Sequence, residues 1–486
     1  MKRIIISCLI SLFILTDYIS VGQSTFEYIS AKVDTDQCVA DAISKPNGEV
    51  IFVGTSKVGG KFEGNIFILG SDGELLSHRE FAWHGKSTYI EKIAPVSPNR
   101  FLLIGAVTEG VVYNLFVCLI DSALNEIKGR EFPLGSYNYL SSKSLTDHDH
   151  NIIINGLVSD TTTFDRLYPY LYKISTDLDS IQLKIFDKQA WGIFDMMEKS
   201  NHDGYYLFLN ANFGLKYNGS TVLVLDDTFN VVQTEHIPSD VENYNTAKWI
   251  TDSTFILSGE HFDLDVDGKV TLGVVVVDTS MNEKYFTHFG KDTITNFPGF
   301  RRNLDFITPA QIYLGGTTNL GYDGLFMNQD SWFFLNKFDS TLALTWQKSY
   351  SKSGYYYNLW GILATQDGGC IMYGTRYNYP TNSMTRDIYI LKVDKQGFAL
   401  STDDYDMMPP KLANIYPNPG QDDLCIQTSL KNADFVLADC LGREIFRKPL
   451  LSNTTVLSTN KLESGLYLYS ILQFGSVVQT GKWIKY

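Results

Sequence analysis

A cassette of about fifty residues recurs along most of this chain, and a period of that length narrows the fold more than any other feature of the sequence. Its most regular part is an apolar strand running into Gly or Asn. The copies are EVIFVGT at Gly54, RFLLIGA at Gly105, NIIINGL at Gly156, YYLFLNA at Asn210, TFILSGE at Gly259, IYLGGTT at Gly316 and CIMYGTR at Gly374. A second apolar strand keeps step with it: NIFILGSDG, LFVCLIDSALN, YLYKISTDLD, TVLVLDDTFN, GVVVVDTSMN, WFFLNKFDSTL and IYILKVDKQG. Each runs into an Asp, Gly or Asn turn. A shorter strand precedes the pair, and another follows it, as in SHREF, KGREF, LKIF and TWQKSY.

Continuous apolar runs of this kind fit sheets buried on both faces. A four-stranded sheet standing alone cannot cover either face. Seven of them packed around an axis cover one another, and closure of the circle protects the edges. The sequence therefore predicts an all-β chain: a seven-bladed β-propeller over 23–400, followed by a small C-terminal β-sandwich. The glycine ending the second strand is expected to allow a tight exit without a Cβ penalty. The seventh copy lacks a clear fourth strand after Gly397, while the chain begins with an unpaired one, Phe26-Glu27-Tyr28-Ile29. We expect this strand to complete the seventh blade. Two smaller sandwiches are the alternative, and the even spacing argues against them. The cassette resembles a propeller repeat of exported Bacteroidota proteins, best at Gln366-Asp367-Gly368-Gly369, Tyr373-Gly374-Thr375 and Asp387-Ile388-Tyr389. That resemblance implies a fold and no activity.

The last seventy or so residues break the period. They hold Tyr416-Pro417-Asn418-Pro419, the strand Leu424-Cys425-Ile426, a strand-turn-strand from Phe435 through Asp439 and Gly442 to Arg447, then Gly465-Leu466-Tyr467-Leu468-Tyr469, with Lys482 in a final strand. The two prolines disfavour helix and start a rigid, extended segment. These elements, in this order, resemble the type A C-terminal sorting domain of type IX secretion, here over 412–486. The resemblance implies that Tyr416, Pro417, Asn418, Pro419, Gly465, Tyr467 and Lys482 belong to the sorting signal. It also implies recognition by the translocation machinery, and delivery to the medium or the outer-membrane surface. An ordinary terminal sandwich retained by the chain is the alternative. Ser401 to Lys411, polar and then carrying Pro409-Pro410, reads as a linker.

The other end agrees with export. Lys2 and Arg3 precede the apolar run Ile4 to Leu15, which is short for a bilayer span, and small residues lie at Ser20-Val21-Gly22. We expect a signal peptide over 1–22 and no transmembrane segment in the mature chain. An uncleaved anchor is the alternative. The formal charge of −14 repels phosphate backbones, and no Lys/Arg cluster opposes it, so nucleic acid is not an expected partner. Five cysteines lie beyond the leader, an odd and sparse set that cannot frame the fold. Cys118 and Cys370 read as buried thiols, and Cys425 with Cys440 is the one plausible pair.

Three features are candidates for chemistry. Tyr89, Tyr139, Trp191, Tyr244, Phe300 and Tyr356 fall where one blade crosses to the next, near one mouth of the channel. Exposed there, they would bind a glycan or a protein partner; packed, they would plug gaps between blades. Asp263, Asp265 and Asp267, before Gly268, form the opening half of a calcium loop, so Ca2+ is the candidate cofactor. The ligand that would close such a loop is missing, and an acidic surface turn is the other reading. Asp147-His148-Asp149-His150 looks metal-like but falls in a first polar turn, where a solvated turn is expected. No nucleophile–base spacing or phosphate-binding glycine loop is present. The sequence therefore favours a non-catalytic binding or scaffold protein. A polysaccharide hydrolase or lyase working at the channel mouth is the alternative.

Overall fold

A computed structural model describes the chain from residue 24 to its end, apart from residues 33, 135–136, 161–165, 191, 211–219, 238–240, 263–269, 291–293, 322–324, 382, 400–412, 429, 431–432, 440–441 and 474–475. Seven antiparallel sheets follow one another in chain order. Asp36–Ser44, Val50–Val58, Lys61–Leu69 and Leu75–Phe81 make the first, each strand pairing with the next. The innermost strands of the next four sheets are Ser87–Ser97, Asn138–Thr146, Gly192–Glu198 and Val241–Thr251. In the sixth sheet the inner strand is split into Asn296–Pro298 and Leu304–Asp305, and in the seventh it is Tyr355–Ala364. Neighbouring inner strands pack on each other, and the first packs on the seventh, so the circle closes.

The seventh sheet takes its outermost strand from the start of the chain. Phe26–Ser30 pairs antiparallel with Arg386–Val393, Phe26 opposite Lys392 and Ser30 opposite Ile388. The core is divided in the same way. Seven apolar clusters occupy the seven junctions between neighbouring blades, such as Ile51, Val53, Leu103 and Phe116 between the first and second. Each side chain in the apolar runs thus serves one of two flanking junctions, according to the face of the sheet it leaves.

A β-bulge interrupts the inner strand of six blades at a corresponding point: Val39/Asp41, Ile90/Lys92, Tyr139/Ser141, Ile193/Asp195, Glu242/Thr246 and Leu359/Gly361. In four of them the recurrent glycine, Gly54, Gly105, Gly259 or Gly374, lies opposite it. A Cβ on Gly54 would sit 2.0 Å from the Cys38 carbonyl oxygen, and one on Gly105 1.9 Å from that of Tyr89. This corrects the expectation of a tight strand exit. Gly54 lies in the middle of Val50–Val58, and the neighbouring backbone, pushed inward by the bulge, leaves no room for a side chain.

The third-to-fourth-strand turns solve another problem. Asp121 caps its turn by accepting hydrogen bonds at Oδ1 from the Ala123 and Asn125 backbone N–H groups at 2.9 and 2.8 Å. Leu124 then takes a left-handed φ of 66°, as do Leu178, Phe229, Met281 and Leu342 (61–65°). Large side chains rarely adopt this conformation. Here each is buried and inserted into the junction with the preceding blade. In the first and seventh blades glycine holds the position instead (Gly73, φ 88°; Gly397, φ 77°). The space is filled by a ring from the preceding blade, Phe26 at Gly73 and Trp346 at Gly397.

The C-terminal residues form two sheets, one of Ala413–Tyr416, Asp423–Thr428 and Thr454–Ser458, the other of Glu444–Leu450, Ala433–Ala438, Gly465–Gln473 and Ser476–Lys485. They share one core around Leu424, Ile426, Phe435, Ile471 and Trp483. Tyr416-Pro417-Asn418-Pro419 follows the first strand and is strapped to the last. Trp483 Nε1 donates to the Pro417 carbonyl (2.8 Å), Asn418 Nδ2 to the Lys482 carbonyl (2.8 Å), and the Ile484 N–H to Asn418 Oδ1 (3.0 Å). Two elements far apart in the sequence, the proline segment and the strand carrying Lys482, are therefore one structural unit. Tyr467 is buried and Tyr416 exposed, and Gly465 has open space around it. Among the described residues no helix is long and apolar enough to cross a membrane. Residues 1–22, expected to be a leader, 401–411, expected to be a linker, the calcium-loop candidates Asp263, Asp265 and Asp267, and Cys440 lie outside the described residues.

Candidate functional site

The channel through the ring is crossed by charge. Between the two halves of the sixth blade's inner strand, residues 299–303 swing onto the seventh blade. Phe300 N–H donates to Leu359 O (3.2 Å), Arg301 N–H to Trp360 O (2.8 Å), and Ile362 N–H to Arg302 O (2.9 Å). The excursion carries two arginines into the axis. Arg301 Nη2 lies 2.9 Å from Glu91 of the second blade, and Arg302 Nη2 3.1 Å from Asp41 of the first. Lys143 of the third blade donates to the Asn245 carbonyl of the fifth.

Asp41 is almost fully buried. Burial disfavours its charge, but Lys92 at 3.0 Å and Arg302 outweigh this and hold its carboxyl below the usual range. Its Oδ2 also accepts the Ile93 N–H at 3.2 Å, as Asp195 accepts that of Ala247 and Asp305 that of Ala364, both at 2.9 Å. Each of these carboxylates ties its blade to the next. Among the described residues Lys143 makes no ion pair of this kind. Burial, with Lys92, Arg301 and Arg302 nearby, pushes its amine down to about 8 against the pull of Asp195.

Arg301 lines a cavity on either side. Toward the face of the first polar turns the space is about 740 Å³, walled by Lys92, Lys143, Asp195, Lys248, Arg302 and Asp305 among others. Toward the opposite face, where fourth strands cross to the next blade, the space is about 200 Å³. Tyr89, Phe62, Trp360, Arg386, Asp36 and Glu91 line this mouth cavity with Arg301. Arg386 clasps Asp36 through Nε (2.8 Å) and Nη2 (2.7 Å). Its Nη1 is buried without a hydrogen-bond partner, and so is the Trp360 indole Nε1. The two residues that carry these donors both line the mouth cavity. A buried polar atom left unpaired costs about 1–3 kcal/mol. Cys38 also lines it, and burial raises its thiol pKa, so the thiolate is disfavoured.

The six aromatic candidates divide. Tyr89 is half-buried at the mouth cavity and packs on Phe62 with centroids 4.5 Å apart. Phe300 is 42% exposed and meets Trp360 edge-on at 5.7 Å. Tyr139, Tyr244 and Tyr356 are buried. Tyr139 donates to Glu91, Tyr244 packs in the junction of the fourth and fifth blades, and Tyr356 accepts the Gly321 N–H at 2.9 Å and so fastens a long loop. These three fill gaps and offer no face to a ligand. Trp191 lies outside the described residues, as do Asp263, Asp265 and Asp267. Trp360 and Arg386 were not singled out from the sequence. Their one visible signal was Arg301-Arg302, a basic pair in an acidic chain.

Residues 414–486 match the family model described as a secretion system C-terminal sorting domain. This tail marks the chain for type IX export to the cell surface or the medium. No curated protein matches the chain. Among solved structures it is similar to Drosophila Semaphorin 2a, at 8% identity and a TM-score of 0.48, covering 94% of this chain and 96% of that one. It is also similar to Kuenenia stuttgartiensis hydrazine synthase, at 11% identity and a TM-score of 0.45, covering 76% and 98%. A third is the WD40 domain of SCAP from fission yeast, at 10% identity and a TM-score of 0.38, covering 76% and 98%.

Proposed function

We propose that the chain is a binding protein of the Bacteroidota surface or secretome, built as a propeller over 23–400 with a leader before it and the sorting domain after it. In this reading the mouth cavity holds the acidic end of a glycan. The observation that carries the reading is one small cavity lined by Arg301, Arg386 and Trp360 together with the rings of Tyr89 and Phe62. Aromatic faces stack on sugar rings at low entropic cost. Two arginines in the lining, Arg301 and Arg386, favour a carboxylate over a neutral hydroxyl. Both acids of the cavity, Asp36 and Glu91, are already engaged by arginines, which suits holding better than cleaving.

The test is calorimetry of the mature protein with oligosaccharides ending in a uronic acid and with their neutral counterparts. The acidic ligands are expected to bind more tightly. Trp360→Ala and Arg386→Lys should each lose tenfold or more, since a hydrogen bond to a charged group contributes about 1.5–3 kcal/mol. Equal binding of acidic and neutral ligands, or unchanged binding in both variants, overturns the proposal.

The enzyme reading draws support from the larger cavity alone, where the Lys143 amine is pushed down to about 8 beside Asp195. Turnover of a polysaccharide, lost in Lys143→Met, would replace the binding reading with that one.

A further inference from the structure

On the face opposite the mouth, the first turns of the third and fourth blades bring three side chains together. His148 Nδ1 hydrogen-bonds Glu198 Oε1, and His202 Nδ1 lies 3.4 Å from the same oxygen. The imidazole centroids are 4.7 Å apart, and the three donor atoms lie within 4.8 Å of one another. The carboxylate is held in place. Its side chain is 13% exposed, and Oε2 accepts the His148 backbone N–H at 3.1 Å. Trp249 Nε1 fixes the residue further by donating to the Glu198 carbonyl at 2.9 Å. The far nitrogen of His148, Nε2, faces Asp149 Oδ1 at 3.4 Å. Asp147-His148-Asp149-His150 is a turn, as its position in the cassette implies, closed by Asp147 N–H to Asn151 O and His150 N–H to Asp147 O. The neighbouring blade supplies what the sequence reading lacked.

We propose that His148, Glu198 and His202 bind a transition-metal dication of the zinc class, joining the third and fourth blades and leaving a fourth position to water. Two imidazoles and one carboxylate are the donor set of open zinc sites, whereas calcium and magnesium take oxygen. Bonds of about 2.0–2.2 Å need donors roughly 3.3 Å apart; His202 Nδ1 stands at 3.4 Å from Glu198 Oε1, while His148 Nδ1, in hydrogen-bond contact with that oxygen, has to draw back from it. His148 and His202 side chains are 42% and 54% exposed, so rotation can make this adjustment without disturbing the core. Asp149 on the far nitrogen of His148 is the arrangement that orients a ligating imidazole and raises its basicity. Equivalent turns elsewhere in the ring do not repeat this set among the described residues.

The test uses the untagged mature protein, stripped with EDTA and titrated with zinc chloride by calorimetry and thermal unfolding. One equivalent should bind and raise the midpoint, with no shift from calcium or magnesium chloride. His148→Ala and His202→Ala should each weaken zinc binding by about tenfold or more, with unchanged far-UV spectra and unchanged unfolding without metal. Trp360→Ala, on the other face, should leave the zinc titration as it is. No zinc binding, or zinc binding equally tight in both histidine variants, overturns the site and leaves an imidazole–carboxylate ion pair.

Discussion

At Gly54, Gly105 and Gly374 a backbone carbonyl of the inner strand occupies the place where a Cβ would stand, at 2.0, 1.9 and 2.1 Å. Gly105→Ala therefore needs the bulge at Ile90 to move, and overpacking of this kind costs about 1–3 kcal/mol or more. The expected result is a clear fall in the urea midpoint, while Gly465→Ala, with open space around it, should leave the midpoint near that of the parent. The glycines were visible in the sequence, but their reason was not, because a bulge is a property of strand register. Trp360 and Arg386 escaped notice for the same cause. Trp360 is the extra residue of the seventh blade's bulge, and Asp36 and Arg386, which form the salt bridge, stand 350 positions apart. Tyr139, Tyr244 and Tyr356 sit at the expected crossovers, yet they turn into the gaps between sheets. Composition does not say on which side of a strand a ring will fall.

Among the elements, the strand Phe26–Ser30 has the largest effect for its length. It pairs along its whole length with Arg386–Val393, and Phe26, 5% exposed, packs against Gly73 of the first blade. Phe26→Ala removes the ring that fills the left-handed turn and should cost about 3–5 kcal/mol, read as a lower denaturant midpoint with an unchanged slope. A lower slope would mean that the seventh sheet had come apart before the rest. This strand was legible from two absences, a missing fourth strand at one end and an unpaired one at the other. The split inner strand of the sixth blade was not legible, since residues 299–303 find their partners on the seventh blade and across the axis.

On the scale of the molecule, a chain of net charge −14 gathers its cations inward, with Lys92, Lys143, Arg301 and Arg302 around the axis. The sorting tail has its own core and its own internal strap. Deleting residues 414–486 should leave the chain behind the outer membrane, protected from protease added to intact cells, whereas the parent is cleaved or found in the medium. Trp483→Ala should lower export in the same assay by loosening the proline segment. The crossing arginines have one more consequence. A solute that comes in past Tyr89 meets the ion pair of Arg301 and Glu91 before the larger space beyond. Arg301, common to both cavities, is thus a sill between them, and whatever rests in the mouth rests against charge.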